Sequence, residues 1–254
     1  MKKAVFFVCV TAFWAWAFGA ALAQSPPLSE GEPPSVKAGD RPPFLPPVSP
    51  QSVSGAAKAF PVVKRVSTGV FDVGGCRLSK AEGWVRFDAV VNMDRGLLEY
   101  LIVGDAGKLH ESLLKTSVDP YALQIALLLI GLEGSQHPLG AQGERRSPTG
   151  DRVTVRVHWT DSSGAHEVPL EQWIHLKGKP LDDVPWVFTG SMVVDGAFMA
   201  EVEKSIVAVY HDPVAMIDHT LDEGADDEVW MVNEKAVPPI GTPVEVVIRR
   251  TGAQ

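Results

Sequence analysis

Cysteine is scarce in this sequence, and its scarcity limits the chemistry that the chain can support. Only Cys9 and Cys76 occur among the 254 residues. Cys9 lies in an N-terminal segment that we expect to be removed, so the mature chain would keep a single cysteine. A single cysteine cannot form an intramolecular disulfide, and it cannot supply the four thiolates of an iron–sulfur cluster. The sequence therefore predicts neither a disulfide nor an iron–sulfur cluster.

Positive charge is also in short supply. The chain has 23 Lys and Arg residues against 31 Asp and Glu residues, which gives a formal net charge of −8. Nucleic acids and anionic lipid surfaces bind proteins through clustered basic residues. The acidic balance therefore predicts that nucleic acid is not a partner and that the domain does not bind an anionic membrane surface.

The first residues have the pattern of a secretory signal. Two lysines precede an uncharged apolar run over residues 4–20, and Ala-Leu-Ala at residues 21–23 matches the small-x-small pattern that signal peptidase recognises. We expect residues 1–23 to be a signal peptide and the protein to be exported to the periplasm or the extracellular space. The alternative is an uncleaved signal, whose uncharged stretch is long enough to span a bilayer and would anchor the chain at its N-terminus.

A linker and one domain are expected after the signal. Residues 24–61 are rich in Pro, Ser, Gly and Glu and contain few large apolar side chains. Such a segment cannot bury enough apolar surface to offset the entropy lost on ordering, so we expect a disordered, Pro-rich linker. Residues 62–254 are enough for a single domain with a substantial hydrophobic core.

Hydrophobic patterns in the domain predict mainly strands. Residues 84–90 begin with an alternation of apolar and polar side chains. Residues 97–103 and 109–115 flank a Gly-Asp-Ala-Gly turn, which predicts that they pair as an antiparallel hairpin. Strict alternation over residues 152–159, followed by a turn over residues 161–164 and a return over residues 168–176, predicts a second hairpin. Between the two hairpins, residues 133–150 read as a polar, Gly-rich loop.

One helix is predicted, and it determines the predicted fold class. Asp119 suits the N-cap, Pro120 the first helical position and Gly131 the left-handed residue after the end. Nearly every side chain between them is apolar, which indicates a helix buried on nearly every face. The predicted fold is therefore α+β, with a mainly antiparallel β-sheet packed on one buried helix.

Glu99 is the first candidate functional residue, because it is a carboxylate in an otherwise apolar predicted strand. One register of the predicted hairpin places His110 and Ser112 on the face of Glu99, and a shift of one residue places Glu111 there instead. A histidine beside a carboxylate can bind a metal ion or act as a general acid and base. The alternative is a hydrogen bond that braces the core.

His211, Asp218 and His219 form the second candidate group. Imidazole and carboxylate groups suit zinc and similar divalent ions. Their spacing does not match a compact metal-binding motif, and surface positions without a ligand are the alternative. No cofactor is predicted, and a divalent metal ion at these two groups is the one alternative to that prediction.

Several segments together resemble the YdjY-like domain family over about residues 62–250. They are GWVRFDAVVN at 83–92, LEYL at 98–101, GKLHESLLKT at 107–116, LLLIG at 127–131, WVFTGS at 186–191, HDP at 211–213 and VPPIGTPVEV at 237–246. The resemblance implies an exported or envelope protein of bacteria without an established activity. Some members carry a ferredoxin-like or iron–sulfur label, from which this chain departs because one mature cysteine cannot ligate a cluster.

These features favour a non-catalytic module that binds an envelope protein or a small ligand. The acidic balance and the expected linker are consistent with such a module, and the Gly-x-Ser-x-Gly and phosphate-cradling patterns are missing from the sequence. The alternative is a metal-dependent enzyme that uses Glu99, His110 and Glu111. Membrane contact is expected only through an uncleaved signal.

Overall fold

The structure, a computed structural model, describes residues 60–252. The expected signal peptide at residues 1–23 and nearly all of the expected linker at residues 24–61 lie outside the described residues. The described part of the chain forms 17 strands and two α-helices, and none of its helices has the length and apolar character needed to cross a membrane. The strands are β1 Val63–Ser67, β2 Val70–Val73, β3 Cys76–Ser79, β4 Trp84–Val91, β5 Tyr100–Gly104, β6 Ser112–Thr116, β7 Asp151–Asp161, β8 Gly164–Pro169, β9 Ile174–Leu176, β10 Lys179–Pro180, β11 Trp186–Phe188, β12 Val193–Val194, β13 Ala197–Phe198, β14 Ser205–Ala208, β15 Ile217–His219, β16 Trp230–Val232 and β17 Pro243–Arg250. The helices are α1 Pro120–Leu129 and α2 Met199–Glu203.

Eight of these strands close into a β-barrel. Their order around the barrel is β4, β17, β7, β11, β15, β14, β5 and β6, and β6 pairs again with β4. Buried residues alternate with more exposed ones along much of β4 and β7, so one face of each strand points inward. The core of the domain includes the buried side chains of Phe87, Val155, Val157, Val246 and Ile248.

The prediction of an α+β fold is wrong, because the sheet closes on itself and does not pack on a single helix. Strands account for 41% of the structure and helices for 13%. The start of α1 is as predicted, since Asp119 accepts a hydrogen bond from the Tyr121 amide at 2.8 Å and Pro120 is the first helical residue. The helix is not buried on every face, because Leu128 and Leu129 are exposed. The closed barrel encloses apolar side chains that the prediction expected to be buried against the helix.

The barrel contains a two-fold repeat of strand pairing. β4, β5, β6 and β7 in one half correspond, in chain order and in pairing, to β11, β14, β15 and β17 in the other. In each half the second and third strands are parallel neighbours, joined by residues 105–111 (the first crossover) or residues 209–216 (the second crossover). β5 and β14 pair antiparallel where the halves meet. The second crossover therefore begins beside the end of the first.

The hairpin predicted for residues 97–103 and 109–115 is wrong. The corresponding strands, β5 and β6, are parallel, with Tyr100 opposite Ser112 and Ile102 opposite Leu114. Parallel neighbours usually need a connection of about a dozen residues or more, so the short first crossover resembles a hairpin turn in sequence. The other edge of β5 pairs with β14 and the other edge of β6 pairs with β4, and both partners are distant in sequence. Local turn chemistry carries no information about such partners.

β4 and β7 each change partner along their length. β4 pairs with β3 through its first residues and with β6 through its last two. β7 pairs with β11 through residues 151–152 and with β8 through residues 156–161. This confirms the hairpin predicted to begin at residue 152, but the predicted return over residues 168–176 is wrong, because β8 is Gly164–Pro169. A cleft lies on the outer wall of the barrel, beside the residues of β4 that pair with β6 and no longer with β3.

Candidate functional site

The two predicted groups of residues meet where β5 begins and β14 ends. Glu99 directly precedes β5, Glu111 ends the first crossover, and His211 lies in the second crossover. The amides of Val209 and Tyr210 donate to the Glu99 carbonyl oxygen at 2.8 and 3.1 Å. The two-fold repeat of pairing thus brings together residues that the sequence presented as two separate sites.

His211, Asp218 and His219 form a compact cluster with no solvent exposure. One potential ligand atom from each residue lies within 4.8 Å of the others. Nδ1 of His211 lies 2.9 Å from the Glu144 carbonyl oxygen, and Nε2 lies 3.0 Å from the His219 carbonyl oxygen. The same Nε2 is 3.9 Å from Oδ1 of Asp218. The three residues do converge, but they do so inside the protein.

Backbone groups already form hydrogen bonds with both ring nitrogens of His219 and both carboxyl oxygens of Asp218. Nε2 of His219 donates to the Val209 carbonyl oxygen at 2.8 Å, and Nδ1 accepts from the Leu221 amide at 3.1 Å. Burial lowers the pKa of His219 to about 3, so its ring is neutral. Burial raises the pKa of Asp218 to about 8, although its two oxygens accept the amides of His219 and Asp212 at 2.7 and 3.1 Å. A metal ion would have to displace the Leu221 amide from the ring, so the donor set as it stands braces the fold.

The loop over residues 133–150 contacts Glu99, which precedes β5, and the second crossover. Nε2 of Gln142 donates to Oε2 of Glu99 at 3.1 Å, and the Gly143 amide donates to the His211 carbonyl oxygen at 2.8 Å. On another side of the His211 ring lies Gly224, where a Cβ atom would come within 2.1 Å of Cδ2 and Nε2. The position of the His211 ring is therefore fixed by close packing as well as by hydrogen bonds.

Tyr100 joins the buried cluster to the half-exposed residues around it. Its hydroxyl donates to Oδ2 of Asp212 at 2.6 Å. The same hydroxyl accepts from Nζ of Lys108 at 2.8 Å and from Nε2 of Gln142 at 3.2 Å. Burial raises the pKa of Asp212, and the hydrogen bond from Tyr100 offsets part of that effect. Burial and the Asp212 charge raise the pKa of Tyr100, so the phenol keeps its proton. The hydroxyl is thus a fully used hydrogen-bonding group.

Glu99 and Glu111 lie beside each other next to this network. The register of β5 and β6 places them opposite one another, and the Glu99 amide donates to the Glu111 carbonyl oxygen at 3.0 Å. Burial raises the pKa of Glu99, and the negative charge of Glu111 adds to that effect. Nε2 of His110 lies 3.3 Å from Oε2 of Glu111, with 79% of the His110 side chain exposed. Ser112 is buried and donates its hydroxyl to the Lys108 carbonyl oxygen at 2.6 Å. The hairpin whose two registers were considered does not form, and the parallel pairing of β5 and β6 brings Glu111 to Glu99.

A cleft of about 510 Å³ lies on the outer wall of the barrel, where β4, β6 and β17 meet. Its volume lies within the range of roughly 300–1,000 Å³ that is typical of small-molecule sites. A second cleft of about 440 Å³ adjoins it and extends toward Trp159 and His166. We call the first of these the wall cleft. The charged and polar residues that line the wall cleft include Asp88, Asp105, Lys115, Ser117, His158 and Glu245.

A row of side chains crosses the wall cleft, and ion pairs neutralise only part of it. Asp88 on β4 stands opposite Glu245 on β17, and Glu245 stands opposite His158 on β7. Oε1 of Glu245 lies 3.3 Å from Nη1 of Arg86 and 3.8 Å from Nδ1 of His158. Glu245 therefore lies within ion-pair distance of Arg86 and His158, whereas Asp88 at the end of the row forms no ion pair with the described residues.

Three charged side chains in the wall cleft have no partner. Asp88, Asp105 and Lys115 form no side-chain hydrogen bond or ion pair with the rest of residues 60–252. Thr116 lies between the two aspartates, because its hydroxyl donates to the Asp88 carbonyl oxygen at 2.6 Å and its own carbonyl accepts from the Asp105 amide at 3.0 Å. Lys115 on β6 is opposite Val90 on β4, and Asp88 lies two residues before Val90 on β4. Two acids and one base from three chain segments thus converge on one cleft.

Sequence reasoning missed the wall cleft, and it also missed the partners of Glu99. The wall cleft is formed by β4, the first crossover, β6, β7 and β17, so no local motif contains it. The only available signal was that Asp88 and Glu245 occupy polar positions in alternating strands, which indicates an outward face and nothing more. Lys108, Tyr100 and Gln142 gave no signal beyond their residue types.

A family model described as YdjY domain matches residues 77–249, more than half of the chain. The matched region begins in β3 and ends in β17, so it includes every strand of the barrel. No curated protein and no solved structure matches the chain.

Proposed function

The chain belongs to the YdjY domain family, and from this membership and the geometry of the barrel we propose that it is an exported, non-catalytic module that binds a small ligand. The ligand occupies the wall cleft. The observation that carries the proposal is the presence, in an open cleft of suitable volume, of three charged side chains without partners. The secretory pattern at residues 1–23 supports export.

The arrangement of the other polar residues favours binding over catalysis. A catalytic acid, base or nucleophile must reach a substrate, whereas His211, Asp218 and His219 are fully buried. The Ser112 hydroxyl is engaged by a backbone carbonyl, so it is not held by a base as an activated nucleophile would be. The most elaborate polar network of the described residues therefore stabilises the barrel, and the wall cleft is left as the accessible site.

Native mass spectrometry of the protein purified from its exported fraction tests this proposal. Ser117 is exposed and lines the wall cleft, so a Ser117→Trp substitution would fill the cleft without disturbing the core. Ser67, which is exposed at the end of β1 and lines neither cleft, supplies the matched control Ser67→Trp. We expect a bound small molecule in the wild type and in Ser67→Trp that is absent from Ser117→Trp. Equal occupancy in all three proteins, or no bound molecule in any, contradicts the proposal.

A metal-dependent enzyme is the second candidate function. The observation in its favour is that Glu111 lies next to Glu99, whose amide donates to the Glu111 carbonyl oxygen, and that the Glu111 carboxylate lies 3.3 Å from Nε2 of His110. Two carboxylates and an imidazole form a plausible donor set for a divalent ion, which could activate water.

Metal analysis of the purified protein tests the second candidate. The enzyme reading predicts one divalent ion per chain, lost in Glu111→Gln and retained in Glu133→Gln, which alters an exposed glutamate in the loop over residues 133–150. A metal content that is the same in the wild type and in Glu111→Gln rules this reading out.

A further inference from the structure

We infer that the ligand of the wall cleft is a cationic amino acid or a short peptide with the same charged groups, that is, a molecule with two ammonium groups or equivalents and one carboxylate. The inference rests on the proposed function and adds the chemical class of the ligand. It depends on which charges in the wall cleft are already neutralised and which are not.

The neutralised charges do not select a ligand. Glu245 is held by Arg86 at 3.3 Å, and His158 lies between Glu245 at 3.8 Å and Glu167 at 3.5 Å. These groups form a ladder across β4, β17, β7 and β8, and a ligand would have to break existing ion pairs to use them. They define one side of the wall cleft and leave recognition to the remaining charges.

The unpaired charges are two carboxylates and one ammonium group, and together they carry one net negative charge. Asp88 and Asp105 lie on the two sides of Thr116, so a ligand placed over Thr116 can approach both. Lys115 directly precedes Thr116 and lines the same wall cleft. A ligand that complements all three groups carries two positive charges and one negative charge, as lysine, ornithine and arginine do.

The pairing of β4 with β17 gives a second reason for a cationic ligand. Asp88 is directly opposite Glu245, and like charges in that relation destabilise a sheet. The ion pair of Glu245 with Arg86 offsets part of this repulsion, and within residues 60–252 no ion pair is formed at Asp88 itself. An ammonium group bound at Asp88 would reduce the repulsion that remains. The exposed hydroxyl group of Ser117 supplies further hydrogen-bonding capacity in the same cleft.

Isothermal titration calorimetry of the full chain at low ionic strength tests the inference with three probes: L-lysine, its decarboxylated analogue cadaverine, and L-glutamate. We expect L-lysine to bind and L-glutamate not to bind. Because these groups are partly exposed, Asp88→Asn and Asp105→Asn should each weaken L-lysine binding by about two- to fivefold. Asp182→Asn, at an exposed aspartate outside the wall cleft, should leave binding unchanged.

The Lys115→Gln variant separates recognition of a carboxylate from simple attraction of cations. It should weaken the binding of L-lysine by about two- to fivefold and should not weaken the binding of cadaverine. Equal effects on both probes, or L-glutamate binding as well as L-lysine, overturn the inferred ligand class. If L-lysine fails to bind while native mass spectrometry shows another molecule that Ser117→Trp displaces, the ligand class is wrong and the proposed function stands. If neither experiment detects a ligand, both are wrong.

Discussion

Asp218 gives the fold a pH dependence whose sign follows from its burial. Burial raises the pKa of Asp218 from 3.8 to about 8, so the folded protein holds a proton that the unfolded chain releases. The resulting stabilisation is complete below pH 3.8 and is lost as the pH rises through 8. His219 acts in the opposite direction, because burial lowers its pKa from 6.5 to about 3. Its contribution improves as the pH rises from 3 to 6.5 and is constant above 6.5.

Only Asp218 of this pair changes stability above pH 6.5. One proton bound in excess by the folded state gives a slope of about 1.4 kcal/mol per pH unit, so the free energy of unfolding should fall by about 2 kcal/mol between pH 6.5 and 8. Urea unfolding followed by the fluorescence of the buried residues Trp173, Trp186 and Trp230 measures this change. Asp218→Asn, which cannot titrate, should reduce the slope. A free energy that is constant or rises over this range in the wild type, or falls equally in the variant, refutes the reasoning.

Two substitutions test the packing and hydrogen bonding around the same cluster by urea unfolding. Gly224→Ala places a Cβ atom 2.1 Å from the His211 ring and should lower the free energy of unfolding by about 2 kcal/mol. The control Gly140→Ala, whose nearest atom would be 3.4 Å away, should change it by less than about 0.5 kcal/mol, and equal effects would contradict the assigned packing. Tyr100→Phe removes the hydroxyl that donates to the buried Asp212 carboxylate and should cost about 1–3 kcal/mol. A Tyr100→Phe variant as stable as the wild type would show that this hydrogen bond is dispensable.

Local features of the fold could be predicted because they depend on neighbouring residues. The start of α1 follows from the Asp119 side chain and from Pro120, both of which act within one turn of the helix. The hairpin of β7 and β8 follows from strict alternation on either side of a short turn. The end of α1 is also local, since Gly131 has a φ of 87°.

The closure of the barrel could not be predicted, because it depends on pairing between distant segments. The strands β5 and β6 have the hydrophobic pattern of a hairpin, and only the presence of β14 and β4 at their outer edges fixes the parallel pairing. The sequence shows no internal repeat, although the two halves of the barrel have equivalent strand pairing. The two halves share their strand pairing, which is made by backbone hydrogen bonds. Because backbone groups are the same at every residue, the repeat leaves no pattern in the sequence.

The candidate residues show the same limit. His211, Asp218 and His219 were singled out by residue type, and they do converge. Residue type did not reveal that backbone amides and carbonyls lie against all four ring nitrogens of the two histidines, because those groups are the same at every position in a sequence. Both registers considered for Glu99 assumed an antiparallel hairpin, and the parallel arrangement of β5 and β6, which the sequence did not indicate, is what places Glu111 beside Glu99.

Mapping amide chemical shifts of the nitrogen-15-labelled protein tests the central claim, that the wall cleft is the binding site, most directly. The titrants are L-lysine and the small molecules released from protein purified from its exported fraction. We predict that the largest shifts occur at residues 88–90, 115–117, 244 and 245, which line the wall cleft and carry backbone amide protons. Largest shifts at Glu99 and Glu111, or no shift in the wall cleft with any titrant, would contradict the claim.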